Sequence, residues 1–296
     1  MKHLLAIILL NLTVSSFAQR DFSTIEMTTT EIKPHIYMLE GSGGNIGVLT
    51  GEDGVIMIDD QFAPLSEKIK TAIGELSDQP IKYLLNTHWH GDHTGGNENF
   101  GKEGAIIVAQ KNVRERLSTE QTNKAFNRTT PPSPEAAWPQ ITFEEDMMIH
   151  LNGESVMLVH VHHAHTDGDA FVYFMDSNVL HMGDCFFNER FPYIDLGSGG
   201  SIEGAIAAVQ TALMLSNHAT VIIPGHGKLA HKADLLKYYT MLETMKDRVL
   251  LAMEEGQTID DMKTGNLGEG YEGWGDGFIS LDRFIDIIWT DYNREK

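Results

Sequence analysis

The chain has 296 residues, 42% hydrophobic and 22% charged, a globular balance that excludes a disordered protein. Its 42 acidic residues outnumber 22 basic ones for a net charge of −20, which argues against nucleic acid or an anionic membrane surface as a partner. One cysteine excludes an internal disulfide framework and any site built from several cysteines, whereas 14 histidines are many for this length.

The chain opens Met1-Lys2-His3, runs apolar from Leu4 to Val14, and then carries Ser16-Phe17-Ala18 before Gln19. That run is shorter than the roughly 20 residues a spanning helix needs. A basic start, a short apolar middle and a small-residue exit predict a secretory signal peptide over residues 1–18. The mature chain, 19–296, is then expected in the periplasm or outside the cell as one domain. No cysteine follows the apolar run to carry a lipid, so no membrane anchor is expected after cleavage.

Residues 32–39, 45–50 and 55–58 read as strands separated by glycine-rich turns at 41–44 and 51–54. Leu65, Ile69, Ala72, Ile73 and Leu76 keep helical spacing, which predicts a helix over 64–77 opened by Pro64. Strands are expected at 81–85 and 105–109, with a helix over 112–117. The proline-rich stretch 129–139 is expected to lack regular structure. In the second half, strands are expected at 147–151, 156–160, 170–174, 179–181 and 221–223. Helices are expected at 201–215, 233–253 and 278–292, the last after a glycine-rich stretch at 265–277. Two β-rich halves that each close with helices suggest two sheets packed face to face with helices outside.

The most informative stretch is Asn86-Thr87-His88-Trp89-His90-Gly91-Asp92-His93-Thr94-Gly95-Gly96, directly after the predicted strand 81–85. Three imidazoles and one carboxylate within six residues suit a borderline metal such as zinc. Alternation sends His88 and His90 one way and leaves Asp92 and His93 to turn towards a second ion.

This HxHxDH stretch resembles the signature of the metallo-β-lactamase superfamily of binuclear metal hydrolases. Asp59, His165 in His165-Thr166-Asp167-Gly168-Asp169, Asp184 in His181-Met182-Gly183-Asp184 and His226 in Pro224-Gly225-His226-Gly227 match the family's other motifs, so the resemblance spans residues 31 to 230. The resemblance implies an α/β fold, a four-layer αβ/βα sandwich of two mixed sheets. It implies two zinc ions, or other divalent metals: His88, His90 and His165 on the first, Asp92, His93 and His226 on the second, and Asp184 between them. Asp59 would orient the metal loop from behind.

The implied reaction is hydrolysis of a small-molecule substrate. A metal-bridging hydroxide would attack a carbonyl in a β-lactam-like amide, lactone, ester or thioester. Asp92 would orient the hydroxide and return a proton to the leaving atom. Aspartate at 184 departs from the β-lactamases with a cysteine ligand and points towards glyoxalase II-like thioesterases, lactonases and phosphodiesterases of the same fold. Readings of a different class are a mono-iron sulfur dioxygenase and a secreted non-enzymatic metal-binding protein. Cys185 is read as a buried neighbour of Asp184 that points away from the metals. His35, His150, His218 and His231 are read as surface residues, and His160, His162 and His163 as surface or supporting ones. The aromatic segment from Phe186 to Tyr193 is a candidate substrate wall or plain core. The helix start at Ser201 is a candidate carboxylate cradle or plain cap.

Overall fold

Strands buried on both faces need cover on both faces, and this chain supplies a second sheet on one side and helices on the other. A computed structural model describes residues 21–123 and 128–294, so the predicted leader lies outside the described residues. The first sheet runs in chain order through β1 (Thr28–Lys33), β2 (Ile36–Glu40), β3 (Ile46–Leu49), β4 (Val55–Ile58), β5 (Ile81–Leu85) and β6 (Ile106–Gln110). The chain then leaves for a two-stranded hairpin, β7 (Gln121–Asn123) and β8 (Arg128–Thr130), and returns beside β6 as β9 (Ile141–Phe143). Pairing is antiparallel up to β4 and parallel from β4 to β9.

The second sheet orders β10 (Asp146–Leu151), β11 (Glu154–His160), β12 (Ala170–Phe174), β13 (Val179–His181), β14 (Val221–Ile223) and β15 (Ala230–His231). Only β13 and β14 pair in parallel there. Helices α1 (Ser66–Gly74), α2 (Gly91–Thr94), α3 (Asn97–Lys102) and α4 (Lys111–Ser118) belong to the first half. Helices α5 (Ile202–Leu215), α6 (Lys232–Glu254), α7 (Ile259–Thr264) and α8 (Leu281–Asn293) belong to the second.

Period-two alternation divides the core. Ile56 and Ile58 of β4 face the second sheet and pack with Val156, Leu158, Val172 and Phe174. Val55 and Met57 point the opposite way, onto Ile69, Ala72 and Ile73 of α1. Behind the second sheet, Phe171 and Leu180 pack with residues of α5, α6 and α8. The result is the expected four-layer sandwich of two mixed sheets with helices outside.

The segments that leave β4, β5, β11, β13 and β14 carry Asp59, His88 to His93, His165, Asp184 and His226. Asn45 ties the two halves together there. Its backbone N–H donates to the Gly225 carbonyl at 2.8 Å, and its Nδ2 donates to the carbonyls of Pro224 and Gly227 at 2.9 Å each. The loop before β3 in the first sheet is thereby fastened to the loop that carries His226. Two glycines permit the close approach: a Cβ on Gly44 would stand 2.0 Å from His93, and one on Gly225 would stand 2.1 Å from Asp184.

Several elements differ from the expectation. The strand expected over 32–39 is a hairpin, β1 and β2, because Pro34 has no ladder donor and His35 turns with φ at 67°. Thr129 and Thr130 do pair, with Thr122 and Gln121, since the prolines begin only at Pro131. Helix α3 was not anticipated, being short, polar and without apolar periodicity. Helix α7 was not anticipated either, although Thr258 and Asp261 form a capping box visible in the sequence. The last helix starts at Leu281 rather than 278, because Ser280 Oγ accepts from the Arg283 amide and caps it.

Asn45→Ala leaves two loop carbonyls without their donor. It should lower stability by about 2 kcal/mol in urea unfolding of the metal-free protein. A loss below about 0.5 kcal/mol would mean that water replaces the clamp at no cost.

Candidate metal centre

Two groups of donor atoms form at this edge. His88, His90, His165 and Asp184 make one, and Asp92, His93 and His226 make the other, with the atoms of each group within 4.8 Å of one another. Asp184 stands between them. Its Oδ2 lies 3.6 Å from His165 Nε2 and 3.9 Å from His88 Nε2, while its Oδ1 lies 3.0 Å from His93 Nε2 and 3.3 Å from His226 Nε2. Asp92 Oδ2 is 3.4 Å from His226 Nε2. Every residue singled out for the HxHxDH, His165, Asp184 and His226 motifs is therefore in one of the two groups.

Outer hydrogen bonds decide which nitrogen of each imidazole faces inward. His93 Nδ1 donates to Asp59 Oδ2 at 2.7 Å, which leaves Nε2 towards Asp184. Asp59 also takes the Thr87 amide and hydroxyl, and the same Thr87 oxygen accepts from His88 Nδ1 at 3.1 Å. His165 Nδ1 donates to the Tyr193 carbonyl at 2.6 Å. His90 Nε2 donates to Asp195 Oδ2 at 2.9 Å, so His90 turns Nδ1 to the interior.

With those protons spoken for, His90 Nδ1 and His165 Nε2 face each other at 2.8 Å, lone pair against lone pair. Among the described residues, His88 Nε2 is likewise buried with no hydrogen-bond partner. Buried lone pairs that converge without donors are costly unless a cation sits among them. The donor set of imidazoles and carboxylates fits a divalent metal of the zinc type.

The electrostatics agree. Burial holds His88 well below the usual imidazole range, and burial with the neighbouring His90 brings His165 down to about 4, so both offer neutral nitrogens. Burial would also depress His226, but the carboxylates of Asp184 and Asp92 outweigh it and raise His226 to about 9. Burial would raise Asp92, but His93 and His226 bring it down to about 2. The metal-free site therefore stores protons on the Asp92, His93 and His226 side, and an entering dication displaces them.

Three further sequence expectations resolve. Cys185 follows Asp184 in a one-turn helix, belongs to neither donor group, and is buried in the core under α5 and α6 with its thiol pushed up by burial. The aromatic segment divides: Phe187 stacks on His226 at 5.2 Å and Tyr193 lies 5.8 Å from His165, whereas Phe186 packs on Tyr238 and Phe191 on Phe284. The amides at the start of α5 are taken, Ile202 by Asp291 and Gly204 by Ser201, so the carboxylate cradle is overturned and Ser201 is a plain cap. Of the other histidines, His35, His150, His162, His163, His218 and His231 are exposed, while His160 is buried with Nδ1 on the Asp169 carbonyl.

Asp195 and Asn45 escaped the sequence reading. Asp195 lies on an irregular stretch after the aromatic segment, and only the fold brings it to His90. The Asp195-Leu196-Gly197-Ser198 turn, in which Asp195 also accepts from the Gly197 amide and the Ser198 hydroxyl, was a local signal that a carboxylate is held there.

The protein-family model described as Metallo-beta-lactamase superfamily matches residues 39–226. A hydroxyacylglutathione hydrolase of Pelagibacter ubique is 28% identical over 148 residues, covering 49% of this chain and 51% of that protein. The alpha subunit of a 2,4-dinitroanisole O-demethylase from Nocardioides sp. is 22% identical over 163 residues, 54% of this chain and 47% of that protein. The chain thus spans about half the length of these curated relatives. Among solved structures, a metallo-beta-lactamase from Pontibacter korlensis superposes with a TM-score of 0.61 at 19% identity, covering 74% of this chain and 99% of that one. A stereoselective inverting sec-alkylsulfatase from Pseudomonas sp. superposes with a TM-score of 0.67 at 15% identity, covering 90% of this chain and 50% of that one.

Asp195→Asn keeps the shape but weakens the hold on the His90 proton. It should weaken zinc binding at the His88 group by about 10- to 100-fold in competition with a chromophoric chelator. Unchanged affinity would remove Asp195 from any part in holding the centre.

Proposed function

The chain belongs to the metallo-beta-lactamase superfamily, and on that premise we propose that it is an exported hydrolase that holds two zinc ions and cleaves a carbonyl compound. The observation that carries the reading is the Asp184 carboxylate, with one oxygen turned to each donor group. His88, His90 and His165 would hold the first ion, Asp92, His93 and His226 the second, and Asp184 both. When bound, the ions supply Lewis acidity at the substrate oxygen and an activated water as nucleophile.

The chain's own residues do the rest. Asp59, Asp195, Thr87 and the Tyr193 carbonyl keep four imidazoles in the orientation that turns a bare nitrogen inward. Asp92 is the most exposed of the carboxylates in the two groups, with 29% of its side chain open. That places its carboxylate, ionised at rest, to take a proton from the attacking water at Oδ2 and pass it to the leaving atom. Phe187 and Tyr193 cover the imidazoles and keep water from their faces.

Aspartate at 184 in place of a cysteine donor favours an ester or thioester over a β-lactam amide, and the likeness to a hydroxyacylglutathione hydrolase supports a thioester. Export rests on the leader pattern of residues 1–18. The mature protein should therefore begin at Gln19 by N-terminal sequencing of the exported form, and recovery of active protein starting at Met1 from the cytoplasm would overturn the export reading.

Metal analysis and a panel of β-lactam, lactone, thioester and phosphodiester test the reaction. About two zinc ions per chain are expected, with turnover of a carbonyl substrate. Asp184→Asn removes a full charge between two dications, so it should leave one ion and lower turnover by orders of magnitude, with partial rescue by excess zinc. Cys185→Ser should change little. One iron with oxygen uptake would replace the hydrolase by a dioxygenase, and metal without turnover would leave a metal-binding protein.

A further inference from the structure

Each large sheet ends on two edge strands, and an edge strand offers unpaired backbone groups to any extended segment that reaches it. Three of the four edges are blunted. β1 carries Glu31 and Lys33, slips register between them and runs into Pro34, while β9 has three residues and β15 two. The fourth edge, β10, is six residues long, keeps one register with β11 throughout and holds no lysine, arginine or proline.

The turn into β11 decides where the backbone groups of β10 point. Asn152 and Gly153 have φ at 56° and 77°, a two-residue hairpin turn that joins Leu151 to Glu154 as a hydrogen-bonded pair. Bonded and open pairs alternate from there, so Ile149 and Met147 bond to β11 and His150, Met148 and Asp146 do not. Two neighbouring bonds agree with that phase. The Glu145 carbonyl accepts from the His160 amide at 2.8 Å, and the carbonyl of Ser155, opposite His150, accepts from the Met175 amide at 3.0 Å on the side away from β10. The N–H and C=O groups of Asp146, Met148 and His150 therefore point out of the sheet edge. Their side chains share the outer face, Asp146 and His150 exposed and Met148 41% exposed, while Met147, Ile149 and Leu151 face the layer between the sheets.

We propose that β10 pairs with β10 of a second copy of this chain, antiparallel about a two-fold axis at Met148, which joins two six-stranded sheets into one. The strand is self-complementary in that register. Met148 meets the partner's Met148, Asp146 meets the partner's His150, and His150 meets the partner's Asp146, so a carboxylate faces an imidazole on each side of the axis. All of these are outward-pointing residues, so the register supplies about six main-chain hydrogen bonds. On the inner face it sets Met147 beside the partner's Ile149 and extends the apolar layer. A slip of two residues either way parts both Asp–His pairs, and a slip of one turns the inner faces outward. The inference is independent of the reaction that the metal centre performs.

Sedimentation of the purified protein tests it, at about 0.15 M salt to screen the net charge of −20 on each copy. A dimer with a dissociation constant on the order of 10 μM is expected for a one-strand contact. The amides of Asp146, Met148 and His150 should exchange hydrogen slowly in concentrated protein and fast in dilute protein. Met148→Lys sets two ammonium groups together at the axis and should abolish the dimer, with far-UV circular dichroism and zinc content unchanged. His150→Asp sets carboxylate against carboxylate and should weaken the dimer by about tenfold. Adding Asp146→His restores opposed pairs in exchanged order and should bring the dimer back. A monomer at about 300 μM would overturn the pairing and leave the edge to a partner of another kind. A dimer that survives Met148→Lys, no recovery in the exchanged pair, or dimerisation without slowed exchange at the three amides would each overturn it as well. Should Met148→Lys unfold the chain, the exchanged pair and the amides still decide.

Discussion

Seven side chains turn lone pairs or negative charge towards one small, largely buried region, and that concentration is unfavourable without positive charge to meet it. In the metal-free protein, protons on His93 and His226 supply part of the compensation beside Asp184 and Asp92. The first donor group has no such relief, since His88 and His165 are held neutral and His90 faces His165 with a bare nitrogen. The rest of the architecture keeps these donors from turning away to satisfy one another.

It does so by layers of hydrogen bonds behind the donors. Asp59 sits fully buried at the end of β4 and holds Thr87 and His93 at once, so a single carboxylate sets both ends of the HxHxDH stretch. Asp169 takes the amide and hydroxyl of Thr166 and thereby shapes the loop that carries His165, its own carboxyl pushed up to about 7 by burial. Asn45 fastens the first half of the chain to the loop of His226. Each of these groups acts across sheets or loops, so the donors are positioned by the whole sandwich rather than by their own short segment.

The C-terminal helices contribute in a different way. Asp291 of α8 occupies the Ile202 amide at the start of α5, and Phe284 of the same helix packs on Phe191. These contacts hold the stretch from Phe186 to Tyr193, which starts beside Asp184 and ends beside His165 and His90. Helices remote in sequence from the metal motifs thus help to hold the aromatic segment that packs on the imidazoles.

Much of this was legible in the chain itself. The HxHxDH stretch, His165, Asp184 and His226 stand out because polar clusters directly after apolar strands are improbable as core, and their residue types suit one kind of ion. Short continuous apolar runs located β4, β12, β13 and β14, because a strand buried between two layers must be apolar along its length. Asp195 and Asn45 were not legible as partners of the site, since each lies on a loop and acts on residues far along the chain. Nor did the sequence tell which nitrogen of each histidine faces inward, because that depends on an acceptor brought from another segment. Residue type and local spacing determine which chemistry the chain can offer. Only the packing of two sheets face to face decides which atoms meet, because hydrogen bonds and lone pairs act over about 3 Å and carry no trace in the order of the residues.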